Sequence, residues 1–196
     1  MESFTLKQTT IVKACCDLVR AKGLKALTTK ELARSLRVTE PALYRHFKSK
    51  SDILYAILSS METNNRAIRD VFLKKRQPTL DKLENMYLAT LGMLAKNPPL
   101  ATAMLSEELY LEDKRLSAKV LNIQNVTLET IRLIVDEGIK KNQIRRPVSR
   151  DETALLIMGT MRFIAIRWRL SGFHPDLLKQ VRSSWRTLKS LLKPPR

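Results

Sequence analysis

Glycine is scarce in this sequence, with five among 196 residues, and the alternation of apolar and polar residues that half-buried strands require is rare. Apolar residues instead recur at spacings of three and four over long stretches, which is the period of an amphipathic helix. A hydrophobic fraction of 44% is enough for one or two domains with a buried core. The sequence therefore predicts an all-α protein.

Cysteine and histidine are also rare, with two residues of each. Cys15 and Cys16 are adjacent, and neighbouring residues on a helix point about 100° apart, so we interpret them as small buried thiols rather than a redox pair. No metal-ligand spacing, nucleophile elbow or phosphate-binding glycine loop occurs, and His46 and His174 lie at predicted helix junctions. We therefore expect a protein that is not an enzyme and that needs no metal or cofactor.

Long apolar runs are missing as well. None approaches the roughly 18–20 residues that a membrane-spanning helix needs, and the opening segment is polar, unlike a secretion signal. These absences predict a cytoplasmic protein with no membrane partner.

Basic residues exceed acidic ones by 36 to 19, which gives a formal net charge of +17. Residues 1–52 carry 11 basic and 5 acidic groups, and residues 148–196 carry 10 and 3. Such an excess favours polyanionic partners, chiefly nucleic acid. For the C-terminal segment two interpretations stay open: a solvated basic surface, or an additional surface for DNA or an acidic partner.

The most informative segment is residues 28–50, whose pattern predicts two short helices joined by a tight turn. Thr28 and Glu31 have the spacing of a capping box, in which the hydroxyl accepts from the amide three residues on. Thr39 caps the next helix, and Pro41 stands in its first turn, where a missing amide donor has no cost. This is the pattern of a helix-turn-helix, which places one helix in the major groove of DNA.

The flanking residues complete a small domain. A first helix is predicted over residues 6–22, and another capping box, opening at Ser49, begins a long fourth helix. The third helix is predicted over residues 40–47, with Leu43 and Phe47, four residues apart, facing inward together with Val38. We therefore predict a three-helix DNA-binding domain over residues 1–52.

The side chains predicted to contact DNA lie near the starts of the second, third and fourth helices. They are Thr28, Thr39, Glu40, Pro41, Ala42, Tyr44, Arg45, His46, Lys48 and Lys50. Residues at the start of the recognition helix reach base edges, whereas hydroxyl and cationic groups beside helix N-termini suit phosphates. An isolated Tyr or His would be interpreted as packing or capping; the spacing of the whole set favours DNA.

Residues 7–58 resemble the N-terminal domain of TetR-family transcriptional regulators. The matching pieces are a first helix ending at Gly23, the run over residues 27–33, and the pattern Leu-Tyr-x-His-Phe-x-x-Lys over residues 43–50. The resemblance implies a dimeric, all-helical, ligand-responsive regulator, usually a repressor. It also implies DNA contacts by Thr39, Tyr44, His46 and Lys50.

Two positions depart from that pattern. Arg37 stands where the turn usually has glycine, and a left-handed conformation there would cost about 1–2 kcal/mol, so we expect a slightly different turn. Glu40-Pro41 replaces small or basic residues, and Glu40 could accept from a cytosine amino group. The operator sequence therefore cannot be transferred from a relative.

Residues 53–196 predict a larger C-terminal helical domain for ligand binding and dimerisation, which brings the total to about nine helices. The eighth helix is apolar on nearly every side between Leu155 and Ile166, so one side needs cover from a partner. The residues predicted at this dimer interface are Ile157, Ile164, Leu177, Val181, Trp185, Leu188 and Leu192. A monomeric core is the alternative interpretation.

A ligand cavity among helices four to eight is implied by the resemblance. Its candidate lining residues are Met61, Met86, Met104, Tyr110, Asn125, Met158, Arg162 and Phe163. Each methionine could equally fill a core, and the Arg162 guanidinium could meet an anionic ligand or pair with a carboxylate.

The predicted function is therefore a homodimeric regulator that reads a palindromic operator in double-stranded DNA and is released by an unidentified small-molecule effector. The alternative is a DNA-organising or cell-division protein that is controlled by a protein partner.

Overall fold

A computed structural model describes residues 6–22, 28–45, 47–74, 76–105, 113–174 and 176–195. These residues form nine helices and no strand, which confirms the all-α prediction. The helices are α1 (Leu6–Lys22), α2 (Thr29–Leu36), α3 (Glu40–Tyr44), α4 (Lys50–Lys74), α5 (Thr79–Lys96), α6 (Pro98–Leu105), α7 (Lys114–Lys140), α8 (Arg150–Leu170) and α9 (Leu177–Leu192).

Helix starts follow the capping residues that the sequence predicts. The side-chain oxygens of Thr28, Thr39, Ser49 and Ser149 each accept a hydrogen bond from the amide three residues further on. Each bond satisfies one of the amides that a helix start leaves without a partner, at a value of about 1 kcal/mol. Helix ends were predicted less well, because α3 ends at Tyr44 and not at Phe47.

The chain divides into two compact units. The first takes in residues 1–61 and 97–120, and the second takes in residues 62–96 and 121–196. The first unit is thus larger than the predicted DNA-binding domain of residues 1–52, since it also contains α6 and the start of α7.

In the first unit, α1 packs against α2 and α6, and α2 packs against α3. Cys15, Leu32 and Leu43 are almost completely buried between these helices. Cys15 therefore lies in the core as a small apolar group, as predicted, whereas the side chain of Cys16 is outside the described residues. Val38 does not join this core: it is 44% exposed.

In the second unit, α9 packs mainly on α5 and also on α8. Val181 and Trp185 of α9 are buried, and the Trp185 ring lies 5.4 Å from that of Tyr87 on α5. The Tyr87 hydroxyl shares a hydrogen bond of 3.0 Å with Ser184. Burial raises the pKa of Tyr87, although this hydrogen bond acts in the opposite direction.

A buried cation links α5 to α7. Lys82 is 2% exposed, and its Nζ lies 2.8 Å from Oε2 of Glu137, whose other oxygen accepts from Lys141. Gly138 follows directly, and a Cβ at that position would stand 2.6 Å from the Thr79 methyl group. A larger residue there would collide with the side chains of Thr79 and Ile144.

Candidate nucleic-acid interface

The start of α2 presents hydroxyl and cationic groups to solvent. Thr28 caps the helix through Oγ1, which accepts from the Glu31 amide at 3.2 Å. The Glu31 carboxylate does not complete the predicted capping box, because it accepts from Lys22 Nζ at 2.7 Å. This hydrogen bond is the main reason why the pKa of Glu31 is lowered. Thr28 and Lys30 remain exposed beside the helix N-terminus.

The turn between α2 and α3 adopts the left-handed conformation that we expected the arginine to avoid. Arg37 has φ 55° and ψ 40°, and its amide donates to the Ala33 and Arg34 carbonyls. The Val38 amide reaches back to the Ala33 oxygen at 3.0 Å, which completes a Schellman-type end. The prediction of a different turn is therefore wrong. Val38 is turned toward solvent because it follows this reversal.

One side of helix α3 is buried in the core of the first unit, and the other side is exposed. Leu43 and the following Phe47 are buried, as predicted, at 1% and 5% exposure. Thr39 caps the helix and is exposed, as is Pro41, while Ala42 is half-buried. The first turn of α3 therefore projects from the unit, as a recognition helix must.

A chain of hydroxyl groups connects α2 to α3. The Tyr44 hydroxyl donates to Thr29 Oγ1 at 3.4 Å, and Thr29 donates to Oε2 of Glu40 at 3.0 Å. The first of these bonds is long for two oxygens, so Tyr44, which is 46% exposed, can give it up for a stronger acceptor such as a phosphate. The second bond fixes the orientation of the Glu40 carboxylate at the start of α3.

Two further cations flank α3. Arg45 and Lys48 are exposed, and they lie just before the N-terminus of α4, which Ser49 caps. The predicted contacts His46 and Lys50 cannot be placed, because His46 and the side chain of Lys50 lie outside the described residues.

We call the exposed residues of this region the reader surface. It comprises Thr28, Lys30, Thr39, Pro41, Tyr44, Arg45 and Lys48. Hydroxyl and cationic donors on both sides of a projecting helix start suit phosphates, and the exposed first turn of α3 suits base edges. The half-buried Glu40 supplies a carboxylate acceptor beside this set.

Sequence reasoning missed Thr29 and Lys30. Lys30 could have been found, since it is the second residue of the helix that Thr28 caps. The role of Thr29 depends on its contact with two residues of the next helix, at sequence separations of 11 and 15. No local pattern predicts such a contact.

The predicted ligand-cavity residues are distributed over both units. Met61 is buried and Met104 half-buried in the first unit, whereas Met86 is buried and Met158 and Arg162 are half-buried in the second. Asn125 and Phe163 are exposed, so the structure corrects their assignment to a cavity. Tyr110 lies outside the described residues.

The predicted dimer-interface residues need a larger correction. Five of them are buried within the second unit itself: Ile157, Leu177, Val181, Trp185 and Leu192. They form the core with α5, and a side chain that is already buried there has no surface to offer a partner. Ile164 and Leu188 are half-buried.

A different row of α8 is exposed and apolar. It comprises Leu155, Leu156, Phe163 and Leu170, which are 54–73% exposed. Gly159 lies in the same row, with open space around the position of a Cβ atom. Because α8 is apolar on nearly every side between Leu155 and Ile166, its sequence pattern does not indicate which side faces the core.

Other site chemistries are not supported by the described residues. No group of three or more His, Cys, Asp or Glu side chains is placed to hold a metal ion in the part of the chain that the structure describes. In that same part, every helix is too short or too polar to cross a bilayer.

The fold and the reader surface are typical of DNA-binding regulators with a helix-turn-helix. Residues 11–57 match the family described as bacterial regulatory proteins, tetR family, and residues 61–190 match the family described as YsiA-like protein, C-terminal region. The chain therefore belongs to the TetR family of bacterial regulatory proteins.

Known relatives agree with this membership. The nucleoid occlusion factor SlmA of Photorhabdus laumondii is 25% identical over 188 residues, which span 93% of this chain and 92% of that protein. Among solved structures, FadR of Bacillus subtilis in complex with stearoyl-CoA has a TM-score of 0.76 at 22% identity, over 96% of this chain and 100% of that one. FadR of Bacillus halodurans has a TM-score of 0.80 at 19% identity, over 96% and 97%.

Proposed function

We propose that this protein is a cytoplasmic transcriptional repressor that binds a palindromic operator as a homodimer and leaves it when a small molecule binds. The observation that carries the proposal is the reader surface. Thr39 and Tyr44 are exposed on α3, while Leu43 and Phe47 anchor the same segment in the core. Such anchoring holds the donors in place before DNA arrives, so little ordering is needed on binding.

The exposed row of α8 supports the homodimer. Four large apolar side chains in one row favour burial against a second copy, because isolated exposed residues are common but contiguous patches are not. Two copies related by a twofold axis would present two reader surfaces to two half-sites. Half-sites about 34–36 Å apart, or a multiple of this spacing, would then be expected.

Release by a ligand requires two states with different affinities for DNA. A ligand that favours the released state about 10⁴-fold moves the population from 1:99 to 99:1. The stearoyl-CoA bound to FadR of Bacillus subtilis makes long-chain acyl-CoA the first probe that we would choose. The methionines Met86 and Met158 stay candidate contacts for its apolar chain.

Selection of bound fragments from the source genome tests the reader. We expect one palindromic motif, found beside a small number of genes. Fluorescence anisotropy with that motif then tests the ligand: stearoyl-CoA should release the DNA, whereas coenzyme A alone should not. Binding without sequence preference would refute the repressor proposal, and release by none of a panel of small molecules would refute its ligand-dependent part.

The similarity to SlmA supports a second candidate, a DNA-organising factor that answers to a protein partner. The same fragment selection separates the two functions. A repressor of specific genes predicts few sites, next to promoters. If the protein is a nucleoid occlusion factor, we expect many copies of the motif, dispersed over the chromosome without regard to promoters.

A further inference from the structure

The outer face of α9 carries a straight row of cations. At about 100° per residue, Lys179, Arg182 and Arg186 fall within an arc of about 60°. Lys193 follows the last helical residue and extends the row to about 21 Å at 1.5 Å per residue. All four side chains are exposed. We call them the α9 row.

These four cations have no carboxylate partner among the described residues. The acidic residue nearest to the row along the chain is the N-cap Asp176, whose carboxylate accepts from the Leu178 amide, and helix α9 itself contains none. Pairing was available on this helix, because Lys189 lies 2.8 Å from Asp81 and 2.9 Å from Glu84 of α5. The α9 row thus has no carboxylate partner, whereas Lys189 on the same helix has two.

Stability does not explain this arrangement. Lys179 and Arg182 are three residues apart, and Arg182 and Arg186 are four apart, so each pair places like charges side by side on the helix. Each such pair costs about 0.2–0.5 kcal/mol. The apolar stripe of α9, with Val181 and Trp185, is already buried on the other side. The row therefore adds repulsion without adding burial.

The neighbours of the row narrow the class of partner. Ser183 and Ser190 are exposed beside it, so this face offers hydroxyl and cationic donors. The Arg145 amide donates to the Leu192 carbonyl at 2.9 Å, which brings the exposed Arg145 to the end of the helix. A membrane surface or a protein partner would favour exposed apolar anchors beside the cations. The exposed leucine of α9, Leu191, lies about 150° around the helix from the row.

We infer that the α9 row binds the phosphodiester backbone of duplex DNA without sequence preference, as a contact separate from the reader surface. A linear series of donors matches a linear series of phosphates, and base recognition requires groups that this face does not have. This contact does not depend on whether the protein is a ligand-released repressor. It gives the second unit its own affinity for DNA.

Charge neutralisation in the full-length protein tests this inference. The row variant carries Lys179→Gln, Arg182→Gln, Arg186→Gln and Lys193→Gln. The control variant removes four exposed charges of the second unit that already have acidic partners, through Arg66→Gln, Lys140→Gln, Lys141→Gln and Arg150→Gln. Both variants lose the same formal charge, and circular dichroism checks that both are folded.

The readout is the salt dependence of binding to a random-sequence duplex, measured by fluorescence anisotropy. Each phosphate contact contributes about 0.9 to the slope of log K against log salt. We expect the row variant to lose about 3–4 in slope per chain, and the control variant to lose less than about 1. Equal slopes in the two variants would refute the inference.

Two further arms identify the source of any effect. In a Tyr44→Ala, Lys48→Gln background, which weakens the reader surface, binding to the random duplex should persist and should be lost when the row is also neutralised. If the row variant instead loses binding to phosphatidylglycerol vesicles while its DNA slope is unchanged, the surface serves membranes and the inference is wrong. Fragment selection reports separately on the reader, so either proposal can fail alone.

Discussion

Replacing Arg37 with glycine should make the protein more stable, although it removes a large side chain and adds no contact. Arg37 has φ 55° and ψ 40°, in the left-handed region where a Cβ atom approaches the following carbonyl. Its side chain is exposed, and no hydrogen bond or ion pair of that side chain occurs among the described residues. Removing it therefore sacrifices little.

The magnitude follows from two opposing terms. Relief of the left-handed strain contributes about 1–2 kcal/mol to the folded state. The greater freedom of glycine in the unfolded chain costs about 0.5–1 kcal/mol. We expect a net stabilisation of about 0.5–1 kcal/mol, which corresponds to a rise in Tm of about 1–4 °C for a chain of this length.

Thermal and urea unfolding of the full-length protein measure this difference, with Arg37→Ala as the matched control. Alanine removes the charge and the long side chain but keeps the Cβ atom, so it should leave the stability within about 0.5 kcal/mol of the native protein. The contrast between glycine and alanine isolates the backbone term. If Arg37→Gly is no more stable than Arg37→Ala, the strain argument fails.

Three further predictions concern other parts of the molecule. Glu137→Ala should lower the free energy of unfolding in urea by about 2–3 kcal/mol, because it leaves the buried Lys82 ammonium without its partner. Burial favours a higher pKa for Glu137, but hydrogen bonds from lysines outweigh this effect and lower the pKa. The stabilisation by Glu137 should therefore be complete above the ordinary pKa of 4.5 and should be lost as the pH falls below it. Tyr44→Phe should weaken binding by about 1–2 kcal/mol on specific and random duplexes alike, and a loss confined to one sequence would contradict phosphate contact. Phe163→Glu should convert a dimer into monomers in sedimentation experiments, whereas Leu121→Glu, at an exposed position of α7, should not.

The helix starts around the reader surface could be predicted closely from the sequence, because the signals that define them are local. A hydroxyl residue three positions before a free amide is enough to define a helix start, and Thr28, Thr39 and Ser49 all behave in this way. The ends were harder, since Tyr44 ends α3 within a segment whose apolar spacing continues to Phe47. Termination depends on how the next helix packs, which is not written in the local pattern.

The proposed dimer surface on α8 shows what hydrophobic periodicity cannot predict: which side of an almost wholly apolar helix is exposed. Helix α8 is apolar over most of its circumference, so its hydrophobic pattern defines no direction. The sequence pattern selected Ile157 on α8, which faces the core, and did not select Leu156, which is 68% exposed. On α9 the strongest apolar stripe, including Val181 and Trp185, was assigned to a partner although α5 of the same chain covers it. The strongest stripe of a helix usually serves its own core first.

Glu40 could be selected from the sequence as a site residue, but its chemistry depends on Thr29, a partner that the sequence does not reveal. The sequence indicates a carboxylate at the start of the recognition helix, where repulsion from phosphates would be expected. The structure adds the hydroxyl of Thr29, which donates to Oε2 at 3.0 Å and holds the carboxylate toward α2. A carboxylate has about four acceptor positions, so one bond leaves the others open to a base amino group. Thr29 thus fixes the orientation of the Glu40 carboxylate, and we expect the base preference at this position to change when either Thr29 or Glu40 is replaced.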